Sequence, residues 1–309
     1  MELSIIFLAL VSSIIFHTAT QYIFIKLKRF DDFNHRTSHK TVATRSGGIS
    51  IFCSLFLISL IYYFLKIELF DYSLFVPLGI LFIIGVYDDL YQADFKLKFL
   101  MQLIVAKILI DQGYVITNLY GFLGINEIPW IISQFFTGLT FIIIVNAYNF
   151  IDGIDGLAIS ETLKNLCFFL FLLPPDDSFY NLAYVLIFIS FPFYFFNLKK
   201  RKKVFLGDAG SLFLGGVNIV FLFHFLNPNT TVNIVIGIKK ILFGTILLSY
   251  PLIDLTRVVI IRIINRRSPF TADQNHIHHW FISKGFSHIK TTFIVLLGGT
   301  ILLFFTFWI

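Results

Sequence analysis

The sequence predicts an all-α, polytopic integral membrane protein of about ten transmembrane helices, folded as a single membrane-embedded domain over residues 1–309. Three observations predict this. Hydrophobic residues make up 57% of the chain against 14% charged, and the mean hydropathy is +0.83, far from the balance of a soluble domain. Apolar runs of membrane-spanning length recur from end to end and leave no long polar stretch for a second domain. Finally, the basic residues sit in short segments between these runs. The net charge of +6 is therefore an orientation signal and does not point to nucleic acid.

In chain order the spans are expected at 3–25, 47–65, 74–88, 97–112, 129–149, 160–174, 179–197, 211–226, 233–264 and 289–309. The first has no basic n-region, carries Glu2 and shows no small-residue cleavage site before Lys26, so it reads as a helix and not a cleaved signal. Several spans are short, reaching about 21–24 Å at 1.5 Å per residue, and must borrow interfacial residues or thin the bilayer. The ninth is too long for a plain span and contains Pro251, where a kink is expected. Cys53 and Cys167 lie inside apolar runs and read as small core residues without a disulfide framework.

With the N-terminus outside, segments 26–46, 88–98, 150–164, 198–210 and 257–290 face the cytoplasm and hold 20 of the 24 Lys and Arg residues. Both termini then lie outside. Every Gly/Asp/His-rich cluster lands on that same inner side, although topology was assigned from Lys and Arg alone. The chemistry is therefore expected at the cytoplasmic face.

Asp88 and Asp89 stand where an apolar helix meets the interface, which suits a divalent cation or proton handling, or simply a solvated helix end. In the run 146–158, Asn146 and Asn149 are one turn apart, followed at the same spacing by Asp152 and Asp155, each before a glycine. Helical geometry places these amides and carboxylates on one face. In 205–216, Asp208 lies between Gly207 and Gly210, and Ser211 is expected to cap the next helix, an arrangement suited to phosphate and its accompanying Mg²⁺. His276, His278 and His279 fall within four positions; Zn²⁺ ligation lacks an accompanying cysteine or HExxH spacing, and phosphate contact is the alternative. His17, His224 and His288 read as structural or interfacial. The basic run 199–203 reads as an anchor against anionic lipid. Arg36, His39, Lys40 and Arg45 precede Gly47-Gly48; inside retention explains their charge, with phosphate contact by Arg45 as a second role.

These motifs, in this order, resemble the polyprenyl-phosphate N-acetylhexosamine-1-phosphate transferase family (glycosyltransferase family 4), over about residues 35–285. The segment SPFTADQNHIHH looks like the branch using UDP-N-acetylglucosamine, whereas the muramoyl-pentapeptide branch typically shows three consecutive histidines. The chain departs from the family in having VATRSGG where a proline-containing motif is usual. The resemblance implies Mg²⁺, with Mn²⁺ as an alternative ion, a UDP-sugar donor and a polyprenyl phosphate acceptor at a bacterial inner membrane, with homodimerisation left open. It implies metal liganding by Asp208, and metal handling or activation of the lipid phosphate by Asp88 and Asp89. Asp152 and Asp155 fall on the family's DGxDG carboxylates, with Asp155 near the nucleobase pocket that Phe205 borders. Asn149, Asn197, Arg45 and His276 are implied as substrate contacts, and His278 and His279 as part of the catalytic histidine motif.

The implied reaction is attack of a lipid phosphate oxygen on the β-phosphorus of the UDP-sugar, with release of UMP. It needs charge neutralisation and in-line positioning more than covalent machinery. A transporter would instead need ionisable residues at mid-membrane, where only Lys107 and Asp254 qualify.

Overall fold

The computed structural model describes residues 2–31, 43–268 and 275–306. Arg36, His39, Lys40 and Asp273 lie outside the described residues. The protein is an all-α membrane bundle. Its helices are α1 (Glu2–Lys26), α2 (Gly47–Phe64), α3 (Phe75–Tyr91), α4 (Phe95–Asp111), α5 (Trp130–Ile151), α6 (Leu157–Leu172), α7 (Ser178–Ser190), α8 (Phe193–Asn197), α9 (Gly207–Leu226), α10 (Ile238–Leu247), α11 (Ser249–Ile264), α12 (Ile277–Ser283) and α13 (His288–Thr306). Among the described residues, seven helical runs are long and apolar enough to cross a membrane: those of α1, α2, α3, α5, α7 with α8, α9 and α13. The other three expected spans correspond to α4, α6 and the pair α10–α11.

The centre of the bundle is α9. Apart from Asp208 and His224 every one of its residues is buried, with α2, α3, α5, α6 and α10 packed around it. Small residues let backbones close in. A Cβ on Gly85 of α3 would stand 2.4 Å from the Asp208 carbonyl, and one on Gly48 of α2 would stand 2.1 Å from the Gly210 nitrogen. Such close approach is how helices associate where lipid offers no hydrophobic gain.

Two small sheets sit at opposite ends of α9. At its amino end β1 (Ala43–Thr44) pairs in parallel with β4 (Lys203–Val204). The amides of Gly47 and Gly48 continue the pairing, donating to the carbonyls of Phe205 and Leu206, both at 2.9 Å. At its carboxyl end β2 (Asn118–Phe122) and β3 (Ile125–Glu127) form a hairpin. The Tyr120 hydroxyl donates to the Leu226 carbonyl at 2.8 Å, one of the carbonyls that a helix end leaves without an internal partner.

Several boundaries differ from the hydropathy reading, because apolar runs mark burial rather than the ends of hydrogen-bonded helix. α3 continues through Asp88 and Asp89 to Tyr91, α6 begins at Leu157, and α9 begins at Gly207. The long ninth run does not kink at Pro251. It breaks at Leu248, and Pro251 falls in the first turn of α11, where its missing amide costs no helical hydrogen bond. The break is tied down by α6, whose Lys164 ammonium lies 3.4 Å from the Leu247 carbonyl and 2.5 Å from the buried Glu161 carboxylate. Irregular backbone within a bundle is tolerated where protein groups satisfy it in this way. Next to this pair, the Asn165 side chain lies 2.8 Å from the Tyr148 hydroxyl and 2.8 Å from the Asn218 side chain, linking α5, α6 and α9. Cys53 is half-buried and Cys167 is exposed, so only the first fits the core expectation, and both are free thiols.

Gly48→Ala is expected to lower thermal stability in detergent by about 1–3 kcal/mol, since the new methyl meets backbone and cannot be relieved by a rotamer change. Gly138→Ala, with open space around its Cβ position, is the control and should be neutral or slightly stabilising.

Candidate active site

Three helix ends converge at the end of the bundle that carries the basic loops. α3 delivers Asp88 and Asp89 in its last turn, then stops at Gln92, which takes a left-handed conformation (φ 56°). Only residues 92–94 connect α3 to α4, so the chain doubles back and brings Lys98 over the acidic pair. The Lys98 ammonium donates to Asp88 Oδ2 at 2.9 Å and to Asp208 Oδ2 at 3.0 Å. Asp88 Oδ1 accepts from the Ala93 amide at 2.7 Å. One ammonium thus holds together two carboxylates from α3 and α9 that would otherwise repel.

Asp89 points elsewhere. Its Oδ1 accepts from the Asp208 amide at 3.0 Å and its Oδ2 from the Ala209 amide at 2.9 Å, and its side chain is 1% exposed. A carboxylate there satisfies orphan donors and complements the positive end of the helix. Gly207 makes room: its φ is 72°, and a Cβ would stand 2.6 Å from Asp89 Oδ2. The expectation that Ser211 caps α9 is therefore corrected. Ser211 lies a full turn inside the helix and accepts from the Asn149 amide at 2.9 Å, while Asp89 supplies the cap from another helix.

Arg45 flanks this cluster. Its guanidinium reaches Asp31 Oδ1 at 2.6 Å and Asp89 Oδ1 at 3.6 Å, with the side chain 42% exposed. Neither Lys98 nor Asp31 was read as functional from the sequence. The available signal was the short α3–α4 connection, legible only once α3 is known to run to Tyr91.

The DGIDG run does not place its amides and carboxylates on one helical face. α5 ends at Ile151, so Asp152 and Asp155 lie on a turn. Asn146 instead donates to Gln102 of α4 at 2.7 Å, and Asn149 to Ser211 of α9. Asp152 is half-buried beside the carboxylate cluster. Burial, then the charges of Asp208 and Asp89, push its carboxyl well above the usual range. Asp155 faces the other way and pairs with Lys203, while His288 Nδ1 lies 3.1 Å from its Oδ2. Burial alone raises its pKa, but the hydrogen bonds from His288 and Lys203 outweigh that and hold it below the usual range. His288 is thus part of this region, whereas His224 pairs with Asp177 at 2.8 Å near the hairpin end, and His17 is buried against Phe193 and Phe196.

Asn197 is buried and donates to the Val204 carbonyl at 2.9 Å, fixing the strand that leads into Phe205. Phe205 is half-buried, its backbone bonded to Thr44 and Gly47. The histidines form a row, with ring centroids 5.3 Å apart and stacked for His276 and His278, and 4.4 Å apart and tilted for His278 and His279. His278 packs on Gly153, where a Cβ would stand 2.5 Å from its Nε2. Burial, then the neighbouring imidazoles, push His278 well below the usual histidine range, so it is neutral at physiological pH.

Asp88, Asp89, Asp208, Arg45 and Asp152 therefore share one cluster, the histidine row and the Asp155 group lie on either flank of the DGIDG turn, and Asn197 is internal. The donor set suited to a hard divalent cation is Asp88 with Asp208, whose oxygens already converge on one cationic group. Both oxygens of Asp89 are committed to backbone amides.

Asp89→Ala is expected to cost about 0.5–2 kcal/mol, the usual range for losing a helix cap, measured by denaturation in detergent. For Asp155 the sign follows from its depressed pKa: its pairing stabilises the fold above the ordinary carboxylate pKa and is lost as pH falls through the lower folded value. The melting-temperature gap between wild type and Asp155→Asn should hold from pH 8 to pH 5 and close only below about pH 4.

The model of glycosyl transferase family 4 matches residues 72–225, the stretch from α3 through α9. A probable undecaprenyl-phosphate N-acetylglucosaminyl 1-phosphate transferase of Bacillus subtilis is 30% identical over 307 residues, covering 95% of this chain and 80% of that protein. Undecaprenyl-phosphate α-N-acetylglucosaminyl 1-phosphate transferases of Salmonella typhi (28% identical, 90% of this chain and 76% of theirs) and Escherichia coli K12 (26%, 90% and 75%) also match. With its acidic, DGIDG and histidine motifs gathered at one end of the bundle, the chain belongs to glycosyl transferase family 4.

Proposed function

We propose that this protein transfers N-acetylglucosamine-1-phosphate from a UDP-sugar to undecaprenyl phosphate at the cytoplasmic face of a bacterial inner membrane, releasing UMP. The observation that carries this reading is the pair Asp88 and Asp208, drawn onto one Lys98 ammonium at the basic end of the bundle. The distribution of Lys and Arg supports reading that end as the cytoplasmic one, with both termini outside. There a lipid phosphate and a water-soluble nucleotide-sugar can meet.

An oxygen of the lipid phosphate forms a bond to the donor's β-phosphorus, and the bond from that phosphorus to the bridging oxygen breaks. UMP leaves with the bridging oxygen and the pair of electrons. The second pKa of a phosphate monoester is near 6, so the acceptor is mostly dianionic at pH 7 without a strong base. Asp208 and Asp88 would hold Mg²⁺, or Mn²⁺ in its place, and the ion would supply neutralisation of the diphosphate charge. Lys98 and Arg45 add fixed positive charge beside the same oxygens, where preorganised charge is most effective. Asp89 keeps the amino end of α9, and hence Asp208, in register. Asp155 and Phe205 border the uracil side, and the histidine row faces the Asp152 turn from the other flank.

Asp208→Asn should abolish Mg²⁺-dependent UMP release while leaving insertion and size-exclusion behaviour unchanged. Retained turnover removes Asp208 from the metal role. A panel of UDP-sugars with undecaprenyl phosphate should give UMP and a lipid product carrying one N-acetylglucosamine-1-phosphate. A product only with UDP-N-acetylmuramoyl-pentapeptide would reassign the sugar.

A further inference from the structure

Behind the histidine row, α11 presents two buried polar side chains one turn apart, Tyr250 and Asp254. Asp254 is 0% exposed and both its oxygens are in use. Oδ2 lies 2.6 Å from His276 Nδ1, and Oδ1 accepts from the Ile277 amide at 2.6 Å. One turn back, the Tyr250 hydroxyl lies 3.3 Å from His278 Nδ1. α11 packs against α5, whose Phe150 meets the His276 ring edge-on at 5.7 Å, so the row is fixed against the helix that leads into the Asp152 turn.

A carboxylate only accepts hydrogen bonds, so the imidazole proton facing it must sit on Nδ1. The second bond, to the amide of the next residue, fixes the backbone from which the ring projects. Among the described residues Nε2 of His276 has no protein partner, so it is the free position of a ring whose tautomer and direction are set from behind. The same three side chains, Asp254, His276 and His278, offer ligand atoms within 4.8 Å of one another. Metal binding fits them poorly, because both carboxylate oxygens are already bonded within the protein. The His276 and His278 ring planes are also only 15° from parallel, so their in-plane lone pairs do not converge on one ion.

We propose that Asp254 is a positioning residue that holds His276 with Nδ1 protonated and turns Nε2 toward the donor substrate. The inference rests on the transferase reading for what His276 faces, but not for the pairing itself. Its logic is that of a buried carboxylate orienting an imidazole, where changing the acid to its amide leaves the geometry and reverses the tautomer.

The test uses full-length protein in liposomes containing undecaprenyl phosphate, labelled with ¹⁵N-histidine, the His276 signals being identified by their loss in His276→Gln. Wild type is expected to carry the proton on Nδ1. Asp254→Asn, which can keep the Ile277 bond through its carbonyl and turn its NH₂ to the ring, should carry it on Nε2. In the UMP-release assay Asp254→Asn should lower kcat by about 100-fold, the scale of a misplaced reacting group, with KM for the UDP-sugar little changed. Asp254→Glu should recover part of that loss. The double variant Asp254→Asn/His276→Gln should be no slower than His276→Gln alone, as expected when one residue acts only through the other. An unchanged tautomer in Asp254→Asn, additive losses in the double variant, or stoichiometric Zn²⁺ that a chelator removes together with the Nδ1–H signal would each overturn the proposal. A wild-type protein that inserts but transfers no sugar-phosphate sinks the transferase reading instead, and the tautomer comparison then still decides the pairing.

Discussion

A helix that starts inside protein and lipid cannot leave its first amides to water, and at α9 this requirement falls on residues distant in sequence. Asp89 takes the amides of Asp208 and Ala209. The carbonyls of Phe205 and Leu206, just ahead of the helix, are taken by Gly47 and Gly48. The consequence reaches beyond the helix end, because the residue whose amide is held is also the one whose side chain joins the acidic cluster. With the Asp208 backbone fixed, its carboxylate has little choice but to meet Lys98. The glycines at 48, 85 and 207 belong to the same constraint, since each gives up the one atom that would keep α2, α3 or Asp89 from closing in.

The electrostatics follow from that closeness. Asp88, Asp89, Asp152 and Asp208 are too near one another to be ionised without compensation, and the protein compensates them in different ways. Asp88 and Asp208 share an ammonium. Asp89 has two backbone amides and the Arg45 guanidinium. Asp152, with no hydrogen bond of its own among the described residues, has its carboxyl driven upward by burial and then by the charges of Asp208 and Asp89. A site in this state favours any additional cation, and that preference suits a reaction that brings two negatively charged phosphates together. Asp155 is insulated from the problem by Lys203 and His288.

The rest of the bundle supports this end at a distance. The break at Leu248 frees backbone carbonyls within the helical layer, and α6 answers with Lys164, itself neutralised by the buried Glu161. The break also resets the direction of α11, so that Tyr250 and Asp254 stand behind the histidine row. An ion pair this deep is costly unless its geometry is complete, and among the described residues one Glu161 oxygen is left without a partner. The pair thus reads as a means of specifying where the helix breaks, not as a source of net stability.

The sequence by itself determined the fold class, the grouping of the polar motifs at one end, and the family, because hydropathy, Lys and Arg placement and motif order are local or one-dimensional properties. It also singled out the acidic, DGIDG and histidine motifs, which the fold gathers at one end of the bundle. It did not divide their labour. Nothing in adjacent Asp88 and Asp89 says that one shares Lys98 with α9 while the other caps it, for successive residues on a helix point about 100° apart and meet different neighbours. Ser211 looked like a cap because helix starts are read from nearby residues, whereas the cap arrives from α3, more than a hundred residues earlier. Lys98, Asp31, Tyr250 and Asp254 were legible only as loop charges or buried anomalies. Their partners lie across the bundle, and only close packing of helices decides which side chains meet.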